Sequence, residues 1–143
     1  MEDTRFPVDR LEKFILSAAT AQDVPEDHAR IFARRMIEAD LRGMHGHGLM
    51  RLAPYSRRIR EGGYNLRPQI RAERESPVSA LVDGDNGLGQ VVMTFAADLA
   101  IEKARESGMA WVGIRRGNHA GAGGVYAALA LPHDMIGIYM AVA

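Results

Sequence analysis

Apolar residues in this chain change their spacing partway along, and that change limits the possible folds more than any single motif does. From Val8 to about Ala21 they fall at Val8, Leu11, Phe14, Ile15, Ala18 and Ala19, the three- and four-residue spacing of a helix with one buried face. Pro7 fits the first turn of that helix. Pro25 can open a second one, with Glu26 and Asp27 at the positive end of its dipole. Ile31, Phe32, Met36, Ile37 and Ala39 give this helix a mainly apolar side, and Gly43 ends it. A third helix is predicted over residues 49–60, with Leu49, Leu52, Tyr55 and Ile59 inward. Pro54 requires that it begin near Gly48 or Met50, and Glu61-Gly62-Gly63 stops it.

After an extended linker at 64–68 the period shortens. Residues 70–75 and 78–82 are short strand candidates separated by Ser76-Pro77, and Asp83-Gly84-Asp85-Asn86-Gly87 is dense in turn residues. Residues 88–107 form the strongest helical pattern, with Val91, Val92, Phe95, Ala96, Leu99, Ala100 and Lys103 at helical spacing and Gly108 as its stop. A buried strand is predicted at 109–114, a short helix at 124–131 ended by Pro132, and another apolar strand at 135–142. The expected architecture is α/β: a helical unit over residues 1–66, then an α/β unit over 67–143. The chain stops inside the apolar run 136–143 with no turn or polar cap after it, so the expectation is a sequence cut short.

Lys and Arg number 18 against 18 Asp and Glu, so no global charge points to nucleic acid or an anionic membrane. The absence of cysteine excludes disulfides, thiolate chemistry and a cysteine zinc site, and suits a reducing cytoplasm. No run approaches the roughly 20 apolar residues of a membrane span, and Met1-Glu2-Asp3-Thr4 is unlike a secretory leader. The expectation is a soluble, cytoplasmic protein with a small-molecule partner.

Two segments carry side chains able to move protons on backbone able to bend. In the first, at 39–52, His45 and His47 alternate with Gly46 and Gly48. His47 and Arg51 lie four apart, so both can face one side of a helix start. There Arg51 could grip a carboxylate in a bidentate pair while His47 polarises or protonates a neighbouring oxygen. The second segment, at 115–124, places Asn118 and His119 directly after a predicted strand, where open α/β sheets present side chains to ligands. Gly117, Gly121, Gly123 and Gly124 would let a phosphate or nicotinamide approach the backbone. Alone, the first segment also fits a solvated arginine beside a loop or capping histidine, and the second a flexible glycine-rich turn with a hydrogen-bonded histidine. Three imidazoles, His45, His47 and His119, could in principle bind a catalytic zinc, but i and i+2 positions point different ways on a helix. The Asp83–Gly89 segment lacks the ligand series of a calcium loop, and Gly87-Leu88-Gly89 lacks the third glycine of a dinucleotide fingerprint.

Taken together, Ala39-Asp40-Leu41-Arg42-Gly43, His47-Gly48, Arg51-Leu52, Asp83-Gly84 with Gly87-Leu88-Gly89, and Asn118-His119 with Gly121 and Gly123 closely resemble the type 2 malate/L-lactate dehydrogenase family, which includes ureidoglycolate and sulfolactate dehydrogenases. The resemblance spans nearly the whole chain. It implies a non-Rossmann fold and an NAD- or NADP-dependent oxidoreductase that moves hydride between the nicotinamide and C2 of a small 2-hydroxy or 2-oxo acid such as malate or lactate. It further implies His119 as acid/base, His47 as a second catalytic histidine, Arg51 and Asn118 as substrate-binding, and Ala120, Gly121, Ala122 and Gly123 as the part facing the cofactor. The chain departs from the family at His45-Gly46, where Asp-Ser is common, so a hydroxyl that can orient or relay through His47 is missing. Family members also continue well past the place of Ala143. A homo-oligomer or a complementary C-terminal polypeptide is therefore the expected partner, with a non-catalytic remnant and a histidine-based metal hydrolase as the alternatives.

Overall fold

The computed structural model describes residues 5–141. Helix α1 (Val8–Thr20) follows Pro7 and α2 (Glu26–Leu41) follows Pro25, each proline standing just before the first helical residue, where its missing N–H leaves no bond unmade. The third helical segment starts tighter than its periodicity predicts. Two 3-10 turns, His45–His47 and Leu49–Arg51, lead into α3 (Leu52–Arg60), so Pro54 falls inside the first α-helical turn as it must.

Strands β1 (Arg71–Ser76), β2 (Ser79–Asp83) and β3 (Trp111–Arg115) form one sheet in the order β1-β2-β3. The first pair is antiparallel with an irregularity between Ala72 and Arg74. The second pair is parallel, with Leu81 opposite Gly113, and α4 (Gly89–Ser107) makes the crossover between its strands. A parallel pair needs such a long return, and an apolar helix lying on the sheet provides it.

Three expectations need correction. The segment predicted as a buried strand at 109–114 is an edge strand, with Trp111 58% exposed and Met109, just ahead of it, also exposed, because among the described residues β3 pairs with β2 alone. No strand forms over 135–141; there Tyr139 stacks on Tyr126 while Ile136, Ile138 and Met140 face outward, and the remaining predicted residue, Val142, lies outside the described residues. Apolar character specifies a strand only when a partner edge takes up its hydrogen bonds. Finally, the predicted helix at 124–131 divides into a short α5 (Gly123–Ala127) and a 3-10 stretch (Ala128–His133) that runs through Pro132 instead of stopping before it.

Two apolar clusters organise the interior. The first joins Ile15, Phe32, Met36, Tyr55 and Ile59 of the helices to Leu88 and Val91 at the start of α4. The second gathers Ala39, Ala120, Ala122, Val125 and Tyr126, so the end of α2 rests on the segment that follows β3. Among the described residues no helix is long and apolar enough to cross a membrane.

At the end of β2 the Asp83 side chain is 1% exposed and accepts hydrogen bonds from Arg116 at 2.7 and 2.9 Å and from the Asp85 backbone at 2.9 Å. Arg115 and Arg71 stand at 3.3 and 3.4 Å. The Arg116 hydrogen bonds, and next the backbone one, hold its carboxyl down at about 2. A depressed carboxyl pKa contributes stability above the unfolded value near 3.9 and loses it as the pH falls toward 2. Urea midpoints measured from pH 7 to pH 2 should therefore fall steeply below about pH 4. Asp83→Asn should be less stable at pH 7, with the gap closing toward pH 2; a constant gap would refute this account.

Candidate active site

Helix α2 ends one turn before the first histidine segment, and its Asp40 governs how that segment folds. One Asp40 oxygen accepts the Leu49 N–H at 2.7 Å and the other meets His45 Nδ1 at 3.1 Å. The loop can close this tightly because residue 48 has no side chain: a Cβ there would stand 2.2 Å from the Asp40 carboxylate. Gly46, by contrast, faces open space. Arg51 Nε donates to the Gly46 carbonyl at 2.7 Å, which steadies the exposed guanidinium over the same loop.

The second histidine arrives from the sheet. Beyond β3, Asn118 accepts a hydrogen bond from Arg58 at 2.7 Å and donates to Asn86 Oδ1 at 3.0 Å and to the Gly87 carbonyl at 2.9 Å. Its carboxamide thereby ties α3 and the 83–87 turn to the residue before His119. Gly89 lets α4 begin against the same backbone, since a Cβ there would lie 2.4 Å from the Asn118 and His119 carbonyl oxygens.

These constraints bring together residues 72 positions apart: the His47 and His119 rings stack with centroids 5.8 Å apart and planes 22° from parallel. Tyr55 completes the group. Its hydroxyl lies 2.7 Å from His119 Nδ1 while its ring packs edge-on against Phe32 at 5.4 Å. Burial pushes the Tyr55 phenol up to about 12, so it keeps its hydrogen at neutral pH. His119 is shifted the other way. Burial chiefly, then the Arg51 guanidinium and the His47 ring, lower its pKa and favour the neutral imidazole.

Of the residues singled out in the sequence, His47, Arg51 and His119 converge, and Asn118 supports them through its ties to α3 and the turn. Ala120 and Ala122 turn their methyl groups into the second apolar cluster. They can offer a ligand backbone groups but no side chain. Gly121 passes close to the His47 carbonyl, and the Tyr139 ring occupies the space a side chain at Gly123 would need. His45 pairs with Asp40 and is exposed, away from the stacked pair. Among the described residues no three His, Cys, Asp or Glu side chains gather as metal ligands would, which removes the geometric basis of the three-histidine metal alternative. The periodicity marks Tyr55 as a core position alone. The four-residue spacing of Arg51 and Tyr55 across the start of α3 points Tyr55 toward the site, whereas Gly48 breaks the helical register between His47 and Arg51.

Comparison with known proteins gives a consistent picture. The family model described as malate/L-lactate dehydrogenase matches residues 6–143. Malate dehydrogenase from Pyrococcus horikoshii is 48% identical over 136 residues, covering 95% of this chain and 38% of that protein. Its solved structure superposes with a TM-score of 0.88 at 47% identity, over 91% of this chain and 37% of that one. L-sulfolactate dehydrogenase from Methanocaldococcus jannaschii is 42% identical, covering 89% and 37%. Ureidoglycolate dehydrogenase (NAD(+)) from Escherichia coli K12 is 36% identical, covering 91% and 37%. The chain thus spans well under half the length of these curated relatives.

The loop geometry separates two neighbouring glycines. Gly48→Ala should destabilise the fold by about 2 kcal/mol, because the methyl group displaces the Asp40 carboxylate from the Leu49 N–H. Gly46→Ala should cost much less. Urea denaturation of both variants checks the difference, and equal losses would contradict the close approach of Asp40.

Proposed function

This chain belongs to the malate/L-lactate dehydrogenase family, and on that premise we propose that it supplies the proton-handling and carboxylate-binding groups of a dehydrogenase moving hydride between NAD or NADP and C2 of a small 2-hydroxy or 2-oxo acid. The observation that carries the reading is the stacked His47–His119 pair with the Arg51 guanidinium beside it. The names of the relatives agree with it: malate, sulfolactate and ureidoglycolate are all 2-hydroxy acids, and the ureidoglycolate enzyme's name specifies NAD(+).

In this reading Arg51 holds the substrate carboxylate. Its Nε is occupied by Gly46, while its terminal nitrogens make no hydrogen bond among the described residues and so remain available. His119 takes the hydroxyl proton as C2 is oxidised and returns it in the reverse direction. A lowered pKa keeps its ring neutral, as a base must be, and the adjacent His47 and Arg51 disfavour a second positive charge. In the neutral tautomer that serves as base, Nδ1–H donates to the Tyr55 oxygen, which fixes the plane of the His119 ring and leaves Nε2 bare for the substrate proton. The segment from Ala120 to Gly123 would face the cofactor through its peptide groups, since Ala120 and Ala122 bury their methyl groups and Gly121 and Gly123 carry no side chain. The nicotinamide, when bound there, accepts or supplies the hydride.

Combined with a polypeptide supplying the remaining C-terminal portion of the family, the chain should oxidise 2-hydroxy acids with formation of NADH or NADPH. His119→Ala should lower kcat by about 10²- to 10⁴-fold. Arg51→Lys should lower kcat/KM by about 10- to 100-fold, since lysine cannot form the paired hydrogen bonds. Undiminished turnover in the His119 variant would end the proposal. Because His119 must be neutral to act as base, kcat/KM for oxidation should rise with pH, with its midpoint below the ordinary histidine value of about 6.5. Reduction, which needs the protonated ring, should decline over the same range.

A further inference from the structure

Among the described residues, Gln22 and Gln90 are the side chains with a buried polar atom left without a hydrogen-bond partner, and Gln90 stands beside the Tyr55–His119 pair. Gln90, in the first turn of α4, is 1% exposed, and neither its Oε1 nor its Nε2 has a partner among the described residues. An unpaired buried carboxamide is costly, and a native chain that retains one has use for it. Its neighbour is the Tyr55 hydroxyl. Gln90 Nε2 and Tyr55 Oη both lie 3.9 Å from the point where a Cβ on Gly121 would stand, so the unpaired amide and the phenol face the same spot.

We propose that Gln90 is a positioning residue whose carboxamide takes the Tyr55 hydroxyl hydrogen whenever His119 carries a proton on Nδ1, so that the two together determine the proton affinity of His119. The need follows from counting hydrogens. A phenol has one to give. When Nδ1 is bare, Tyr55 donates to it and can accept from Gln90 Nε2. Once Nδ1 is protonated, the N–H donates to the phenol oxygen, and the phenol hydrogen must turn to another acceptor. Tyr55 is 4% exposed, so water is a poor candidate. A half-turn of the Gln90 amide presents Oε1 in place of Nε2, and the same side chain serves both states. No proton leaves the group in this exchange; two hydrogen bonds reverse direction.

Leucine, of similar size and without polar atoms, removes the acceptor and should disfavour the protonated ring. The charged and titratable groups facing His119 are the Arg51 guanidinium, the His47 ring and the Tyr55 hydroxyl, and the Leu substitution removes none of them. The proposal deepens the reading of His119 as acid/base, but its test needs neither cofactor nor substrate. Titration of the full chain by histidine ring NMR should show the His119 pKa about half to one unit lower in Gln90→Leu, the shift expected for loss of one net hydrogen bond. With Tyr55→Phe already in place, the same substitution should shift it hardly at all. In the unsubstituted chain, the Gln90 side-chain amide signals should move with the His119 titration. An unchanged pKa in the Leu variant, an equal shift in the Phe background, or amide signals that stay still while His119 titrates would each overturn the proposal. Should the Leu variant fail to fold, the amide signals of the unsubstituted chain decide alone. A negative result would leave the dehydrogenase reading intact, and an absence of turnover would leave this one intact.

Discussion

The hydrogen bond between the Tyr55 hydroxyl and His119 Nδ1 is the joint on which the rest of the molecule turns. It links the helical layers to the segment that leaves the sheet, across 64 positions of sequence. Its two ends are held by different means. Tyr55 is fixed by burial against Phe32 in the first apolar cluster, whereas His119 is fixed by backbone, pressed between the start of α4 and the Asn118 ties. An exposed imidazole thus acquires a defined orientation from a partner that cannot move.

The opposite side of the site is built from a helix end and a missing side chain. Asp40 satisfies the Leu49 N–H, and Gly48 allows the chain to pass against that carboxylate. The same carboxylate turns His45 away, so of two adjacent imidazoles one stacks on His119 and the other stays at the surface. Charge arranges the sheet end in a comparable way. Asp83, surrounded by Arg116, Arg115 and Arg71, pins the turn from which Asn118 receives its anchoring contacts. Electrostatics at one end of the sheet therefore bears on a histidine a few residues further along.

The elements whose physical cause is local were legible in the chain itself. Pro7 and Pro25 set two helix starts, Gly108 set the end of the long helix, and the paired glycines and histidines marked the segments that meet. The residues that misled were those whose state depends on a distant neighbour. Met109 and Trp111 read as buried because they are apolar, yet an edge strand covers one side only. Residues 135–141 read as a strand for the same reason and form none.

What this sequence determined by itself was its periodicity, its breakpoints, its neutral charge and the family its motifs belong to, because each is a property of neighbours along the chain. Only the tertiary structure decided that His47 and His119 stack, that His45 does not join them, and that Tyr55 and Gln90 stand behind the pair. Those outcomes depend on how two apolar clusters pack and where backbone can approach backbone. Spacing along a chain carries no information about separation across a core.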